Sequence, residues 1–552
     1  MAAPARKDGR CAFGLTPTAL PFGRRSHRLS AMYVRAMLLV VLCLLALAGR
    51  AQNNDVPLQR NIYRGLERTA ARLDAHTHTG LKPLIEQRAD LSATMGYAVD
   101  STKYYDWITE KLYKDHLINI KADDVRISID PLFQFEFGYD LGDATAYQDT
   151  NRYYNNTRGF LIKGDFGEKL SFHTMFHETQ AVVPQYLFLY IRDAGVMPGQ
   201  GRLKIQERRE LDYGWSQANL SYSPVRRLNI QFGHGKHFVG HGYRSMLLSD
   251  NTMPVPYLKF SVLFLKDRLQ YTTWHTKQMH GVSRDDRLPT GDAGESLFYW
   301  YRARFNHLSA DLGRVQVGLF ESTLFRTIDD EGVLPFDAQE LNPVIGVNTA
   351  TYGFDGVNKS LVGADLRVKL TDKAYVYGHL AYDGRTAWQA GMRWFDVVLK
   401  DLDIQLEYNT AEPFMYMHDP ARLSYRHAGL PMAHSLGTSF DEVVIIVEKE
   451  VRRFRFQGKV NLATVRSDPY QAANTGTDLR KPFTDLPSVE ASVVRDLFFL
   501  DVNAAYLFNP KTNMHVAVGL MRRDEPGATD NVQSSYLYLA VRTSLFNRYY
   551  DI

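Results

Sequence analysis

Residues 133–139 read Phe133-Gln134-Phe135-Glu136-Phe137-Gly138-Tyr139, with a ring at every odd position and a polar or small residue at every even one. A β-strand turns successive side chains to opposite faces, so this stretch predicts a ribbon with one aromatic face and one polar face. The same period of two returns along the chain toward Ile552. Val362, Ala364, Leu366 and Val368 alternate with Gly363, Asp365, Arg367 and Lys369, and Leu402, Ile404, Leu406 and Tyr408 with Asp403, Gln405 and Glu407. Phe454, Phe456, Val460 and Leu462 face away from Arg455, Gln457, Lys459 and Asn461. At roughly 24 residues per strand and connection, the region from 125 to 552 holds about 18 strands. The fold this predicts is all-β, a transmembrane antiparallel barrel. Apolar residues would face lipid, while Asp365, Arg367, Lys369, Glu407, Arg455 and Lys459 line a polar lumen. A soluble two-sheet sandwich shows the same alternation. Strand number, charge on the polar face and an export signal select the barrel, whose closure pairs every backbone donor and acceptor as hydrocarbon demands.

The export signal lies between Ala36 and Ala48, an apolar run behind Arg35 that is too short to span a bilayer and is followed by small residues up to Ala51. Residues 1–51 therefore read as leader and signal peptide. They carry eight of the 65 Lys and Arg and both cysteines, Cys11 and Cys43. What remains has 57 basic and 60 acidic residues, so the net charge turns from +4 to −3 and the basis for a nucleic-acid partner is gone. Without thiols, the exported chain offers no disulfide, Cys-ligated metal or iron–sulfur cluster. Tyrosine (32) outnumbers phenylalanine (30), in keeping with rings belting two membrane interfaces. A mean hydropathy of −0.30 excludes a helical membrane protein and is compatible with a barrel that is wet inside.

Residues 52–124 carry a helical period instead: Ile62, Leu66 and Leu73 form one stripe and Tyr104, Trp107, Ile108, Leu112 and Leu117 another. They predict a small helical section at the periplasmic end of the barrel. Segments 140–156, 195–202, 284–295, 329–356, 412–439 and 468–485 read as long connections or an intraluminal plug.

The least ordinary stretch is 232–257, FGHGKHFVGHGYRSMLLSDNTMPVPY. Its glycines beside Lys236 and Arg244 could cradle an anion, although no nucleotide-loop spacing follows. His234, His237 and His241 cannot share one strand face, so a metal site needs a bend at the glycines and none is assigned. Ser249 and Asp250 could join a histidine as a barrel-rim hydrolase. Gly-x-Ser-x-Gly and His-Glu-x-x-His spacings are absent from the sequence, and no catalytic residue or cofactor is assigned.

Several segments resemble the Wzi capsule-assembly family and the gliding-motility RemB-like outer-membrane proteins. They are 156–186, the glycine and Leu-Leu-Ser-Asp-Asn stretch of 233–257, and 340–363 (ELNPVIGVNTATYGFDGVNKSLVG). Residues 387–418, 425–437 and the terminal RTSLFNRYYD of 542–551 continue the likeness. The resemblance implies an outer-membrane barrel that is not an enzyme and that binds or organises capsular or extracellular polysaccharide. Its implied partners are that polysaccharide, outer-membrane lipid and lipopolysaccharide, and the barrel-assembly machinery. The polysaccharide-binding or motif candidates are Lys236, Arg244, Ser249, Asp250, Asn251, Tyr416, His418, Tyr425 and His427, expected on exposed loops where Tyr and His stack on sugars. A passive diffusion channel and a rim hydrolase are the alternatives.

Overall fold

The computed structural model describes residues 53–89, 104–142, 152–205, 209–283, 298–329, 332–419, 421–468, 474–481, 493–526, 533–543 and 546–552. The leader, the connection expected at 284–295 and parts of those expected at 140–156 and 468–485 lie outside these residues.

Eighteen antiparallel strands close into a barrel. In chain order they are β1 Val125–Asp140, β2 Arg152–Phe166, β3 Leu170–Val182, β4 Leu211–Val225, β5 Leu228–Gly235 and β6 Val255–Phe264. Next come β7 Leu269–Ser283, β8 Phe298–Asp311, β9 Val315–Phe325, β10 Lys359–Thr371, β11 Ala374–Tyr382 and β12 Thr386–Trp394. The ring is completed by β13 Leu402–Ala411, β14 Phe440–Val451, β15 Phe454–Ser467, β16 Val493–Asn509, β17 Met514–Asp524 and β18 Ser534–Thr543. The seam pairs β18 with β1, from Tyr536 opposite Asp140 to Arg542 opposite Gln134. There the Tyr536 ring lies flat over Gly138, and a Cβ on that glycine would come within 2.2 Å of it. Among the described residues no helix is long and apolar enough to cross a membrane.

The face assignment follows the alternation. In β1, Phe135, Phe137 and Tyr139 are exposed on the outer wall, whereas Gln134, Glu136 and Asp140 are buried inside. Asp365, Arg367, Lys369, Glu407 and Lys459 all point inward and find partners there. Arg455 does so with Glu450. The turns after β2, β4, β8, β10, β14 and β16 are short and share one end of the barrel, while the long connections leave from the other. In bacterial barrels the short-turn end is periplasmic.

Helix α1, Arg60–Ala71, starts where the Gln59 side chain accepts the Ile62 N–H. It is amphipathic in an unusual sense: Tyr63, Leu66 and Ala70 form its apolar side, and Arg64, Glu67 and Arg68 its charged side, and most of both are buried. The charged side meets the charged inner wall. Arg64 pairs with Asp403 at 2.7 Å and Glu450 at 2.8 Å, and Arg68 with Asp396 at 2.7 Å. Glu67 bridges Lys82 (3.0 Å) and Arg393. The helix thus occupies the lumen at the short-turn end instead of forming a section beyond it, because the wall supplies opposite charges that an external cap would leave in water. The second stripe forms α2, Trp107–Tyr113, capped by Asp106 and exposed on its apolar side. Asn509 donates to the Lys111 and Asp115 carbonyls and holds it by the β16–β17 turn. Strand Ile118–Ala122 then pairs with the start of β1, so residues 52–124 are not helical throughout.

Candidate functional site

Three segments meet inside the barrel: the β5–β6 connection (236–254), the β13–β14 connection (412–439) and the chain that follows β18 (546–552). Each is polar enough to bond to the inner wall and apolar enough to fill it. Leu247 and Leu248 pack with Trp274, Phe305, Phe320, Met415 and Met417 in one buried cluster. Leu247 lies so close to Gly363 of β10 that a Cβ there would fall 2.3 Å from its methyl.

All nine candidates picked from the sequence are buried, so none stands on an exposed loop in this structure. They lock the three segments together. The Tyr416 hydroxyl donates to the Met246 carbonyl at 2.7 Å and the Tyr425 hydroxyl to the Leu247 carbonyl at 2.8 Å, with the two rings stacked 5.9 Å apart. Ser249 donates its N–H to the Met432 carbonyl (2.7 Å) and its hydroxyl to Ala433. Asn251 reaches the Pro431 carbonyl. His418 Nε2 bonds the Gly356 carbonyl at 2.9 Å, and His427 Nδ1 accepts the Met279 N–H at 2.9 Å. Lys236 donates to the carbonyls of Gly199 and Asp250. It caps backbone instead of presenting an anion site, and burial brings its pKa down to about 8.

The electrostatic centre is Arg244. Its guanidinium binds Glu442 at 2.9 Å and reaches the Asp551 carboxylate at 3.3 Å and carbonyl at 2.8 Å. Its own N–H and that of Tyr243 donate to Glu407 at 3.0 and 2.7 Å. Asp551 also receives Lys459 at 2.8 Å and the Tyr243 hydroxyl at 2.5 Å. Burial alone would raise the Asp551 pKa; Arg244 and Lys459 outweigh it and draw the group down to about 2. Asp250 accepts from Asn547 at 2.9 Å and from Tyr549, so the Ser-Asp-Asn stretch is tied to the tail as well. Arg60 of α1 completes the lock, donating to the Tyr243 carbonyl and to Tyr549.

The three histidines part company, as the strand argument predicts. His234 bonds the Ser216 carbonyl, His237 packs between Tyr257 and Trp274, and His241 meets Asp365 at 3.2 Å. Among the described residues no cluster of His, Cys, Asp and Glu could hold a metal ion. The tail residues Asn547, Tyr549 and Asp551 and the Glu442 partner were not among the sequence candidates. Their signal was faint: charge on an inward strand position, and a polar, aromatic terminus.

No known family profile matches the chain, and no curated protein matches it. Solved structures do. Wzi of Escherichia coli, described as an outer-membrane protein involved in group 1 capsule assembly and a carbohydrate-binding β-barrel, is 11% identical. It aligns over 89% of this chain and 99% of its own, with a TM-score of 0.51. OccAB2 of Acinetobacter baumannii (10% identity, 76% and 97% covered, TM-score 0.42) and OprD of Pseudomonas aeruginosa (9%, 75% and 94%, 0.40) are also similar. At these identities the likeness is one of fold: an outer-membrane type of barrel.

Proposed function

We propose that this chain sits in the outer membrane and works there as a binding protein for capsular or other surface polysaccharide, without catalysing a reaction. The capsule-assembly and gliding-associated roles that the sequence resemblance implies would share this binding step. One observation carries the reading. Helix α1, two long connections and the tail fill the lumen and are cross-bonded through Arg244, Glu407, Glu442 and Asp551. A barrel blocked in this way is suited to work at its outer rim more than to let solutes pass. The carbohydrate-binding description of the similarly folded Wzi supports the same reading.

The described part of that rim is suited to sugars. Trp388 and Tyr408 pair at 5.1 Å, the Tyr408 hydroxyl bonds Asp441 at 2.9 Å, and Arg466 bonds Asp441 at 3.0 Å. Rings that stack and planar groups that hydrogen-bond give many weak contacts, which a repeating chain sums by multivalency. The test is a glycan array probed with the refolded barrel. Binding of surface polysaccharides, weakened by Tyr408→Ala with Asp441→Asn, is the expected result; a folded barrel that binds none of them rejects the proposal.

The diffusion channel remains a second reading because a polar cavity of about 120 Å³ lies inside the barrel, lined by Arg455, Lys459, Asp501 and Arg548. Single-channel recording separates the two: steady open conductance of the unaltered protein favours the channel.

A further inference from the structure

The β9–β10 connection behaves differently from the β5–β6 and β13–β14 connections. It does not enter the lumen but folds down the outer wall over β7, β8 and β9. That wall is polar where it is covered. Trp274, Phe305 and Phe320 point into the buried luminal cluster, so their neighbours Thr273, Arg304 and Glu321 point outward. Arg302 and Asn306 lie on the same outer face of β8. The connection bonds to them: Arg302 grips the Glu340 carboxylate at 2.7 and 2.8 Å, and Arg304 donates to the Glu340 carbonyl at 3.0 Å. Glu321 accepts the Thr349 N–H at 3.0 Å and hydroxyl at 2.7 Å, at the foot of helix α3, Val347–Tyr352.

Between 333 and 347 the exposed residues of this flap are apolar apart from Asp337 and Gln339. Val333 is 81% exposed and Phe336 56%, and Leu341, Val344 and Val347 are exposed beside them. Polar in and apolar out is the reverse of a loop in water and matches the barrel wall elsewhere, where Phe137, Val443 and Leu462 are exposed. An uncovered arginine facing hydrocarbon is destabilising, most of all at mid-membrane. The flap replaces that polar stripe with a surface lipid tolerates.

Between the flap's edge and the wall runs a groove of about 560 Å³, lined by Leu258, Trp300, Phe325, Phe336 and Leu341. Lys277 stands on its rim toward the long-connection end. Its ammonium lies 4.9 Å from the Trp300 ring centroid, and it has no carboxylate partner among the described residues. We propose that this groove is a lateral lipid site holding one acyl chain of an anionic membrane lipid, with Lys277 against the headgroup. The occupant follows from the surroundings: a wall bathed in acyl chains, an apolar slot, and the Lys277 ammonium held over the Trp300 ring at the edge where headgroups lie. The inference rests on the barrel lying in the membrane and is independent of polysaccharide binding, so failure of either leaves the other standing.

Residues 52–552 contain no cysteine, so a single Cys placed at 336 can carry a bimane fluorophore without interference. The protein is refolded in phosphatidylcholine nanodiscs with a minor fraction of brominated-chain phosphatidylglycerol, or the same fraction of brominated phosphatidylcholine. The site predicts quenching about fivefold stronger with the anionic lipid, the enrichment one lysine at an anionic surface supports. Lys277→Gln abolishes that preference, as does high salt, which needs no variant. A label at Leu341 repeats the reading without altering Phe336, and heat-modifiable gel migration reports that each barrel is folded. No quenching by either lipid puts the flap in water and overturns the proposal. Equal quenching by both, or a preference that survives Lys277→Gln, overturns it too.

Discussion

Arg244 and Asp551 meet inside the lumen at 3.3 Å although 307 positions separate them in the chain. One belongs to the β5–β6 connection and the other to the tail, and neither has water to fall back on. Replacing Arg244 with Ala leaves Glu442 buried without its guanidinium and Asp551 with Lys459 alone. Breaking a buried pair in this way costs about 3–5 kcal/mol. The barrel itself should stay closed, because its ladder is untouched. Planar-bilayer recording should then show openings that the unaltered protein lacks, with Arg244→Lys intermediate.

Tyr416→Phe and Tyr425→Phe each remove a hydroxyl that serves a loop carbonyl. Each should cost about 0.5–1.5 kcal/mol, rising toward 3 where the carbonyl is left unserved. The rings touch, so the double variant should depart from additivity. Hydrogen exchange over residues 240–251 reads this directly, with faster exchange there and none at the strands.

Acid should loosen the plug before it affects the tail's own charges. Burial lowers the His241 pKa to about 4, partly offset by Asp365, with Arg367 and Lys82 also lowering it. The fold therefore prefers the neutral ring. Its contribution is complete above the ordinary value near 6.5 and is lost as pH falls from there toward 4, amounting to roughly 3 kcal/mol. Asp551, drawn down to about 2, contributes throughout that window and fades below about 4. Chemical unfolding from pH 7 to 4 should show the loss, and His241→Asn should flatten it; an unaltered slope would contradict the assignment.

The two faces of β1 should respond in opposite ways. Phe135→Arg puts a cation on the lipid face, costing about 2–4 kcal/mol if central and less near an interface. Glu136→Gln is inside, where it removes the charge that pairs with Arg548 (2.6 Å) and leaves one acceptor oxygen for Arg548 and Tyr536 (3.0 Å), and it should loosen the tail instead. Equilibrium insertion into vesicles measures the first effect and tail exchange the second.

Much of the barrel was legible from residues 133–139 onward. Alternation is a local property, and a strand's two faces are written in neighbouring residues. Lysines and acids on inward positions, such as Asp365 and Lys459, announced a polar interior for the same reason. The candidate site was legible in its composition and not in its placement. Tyr416, Tyr425 and Asp250 look the same in sequence whether displayed to sugars or turned inward to bond a carbonyl.

Strand period, face polarity and barrel class follow from the order of residues within a dozen positions, because sterics and solvent act on each strand one side chain at a time. Which connection fills the lumen and which lies along the lipid wall depends on pairs such as Arg244 with Asp551 and Arg302 with Glu340. The second pair spans 38 positions and the first 307. Those partners exist for each other once the closed sheet has fixed a polar cavity on one side and a polar stripe on the other. Burial then makes an unpaired charge costly enough to choose between them.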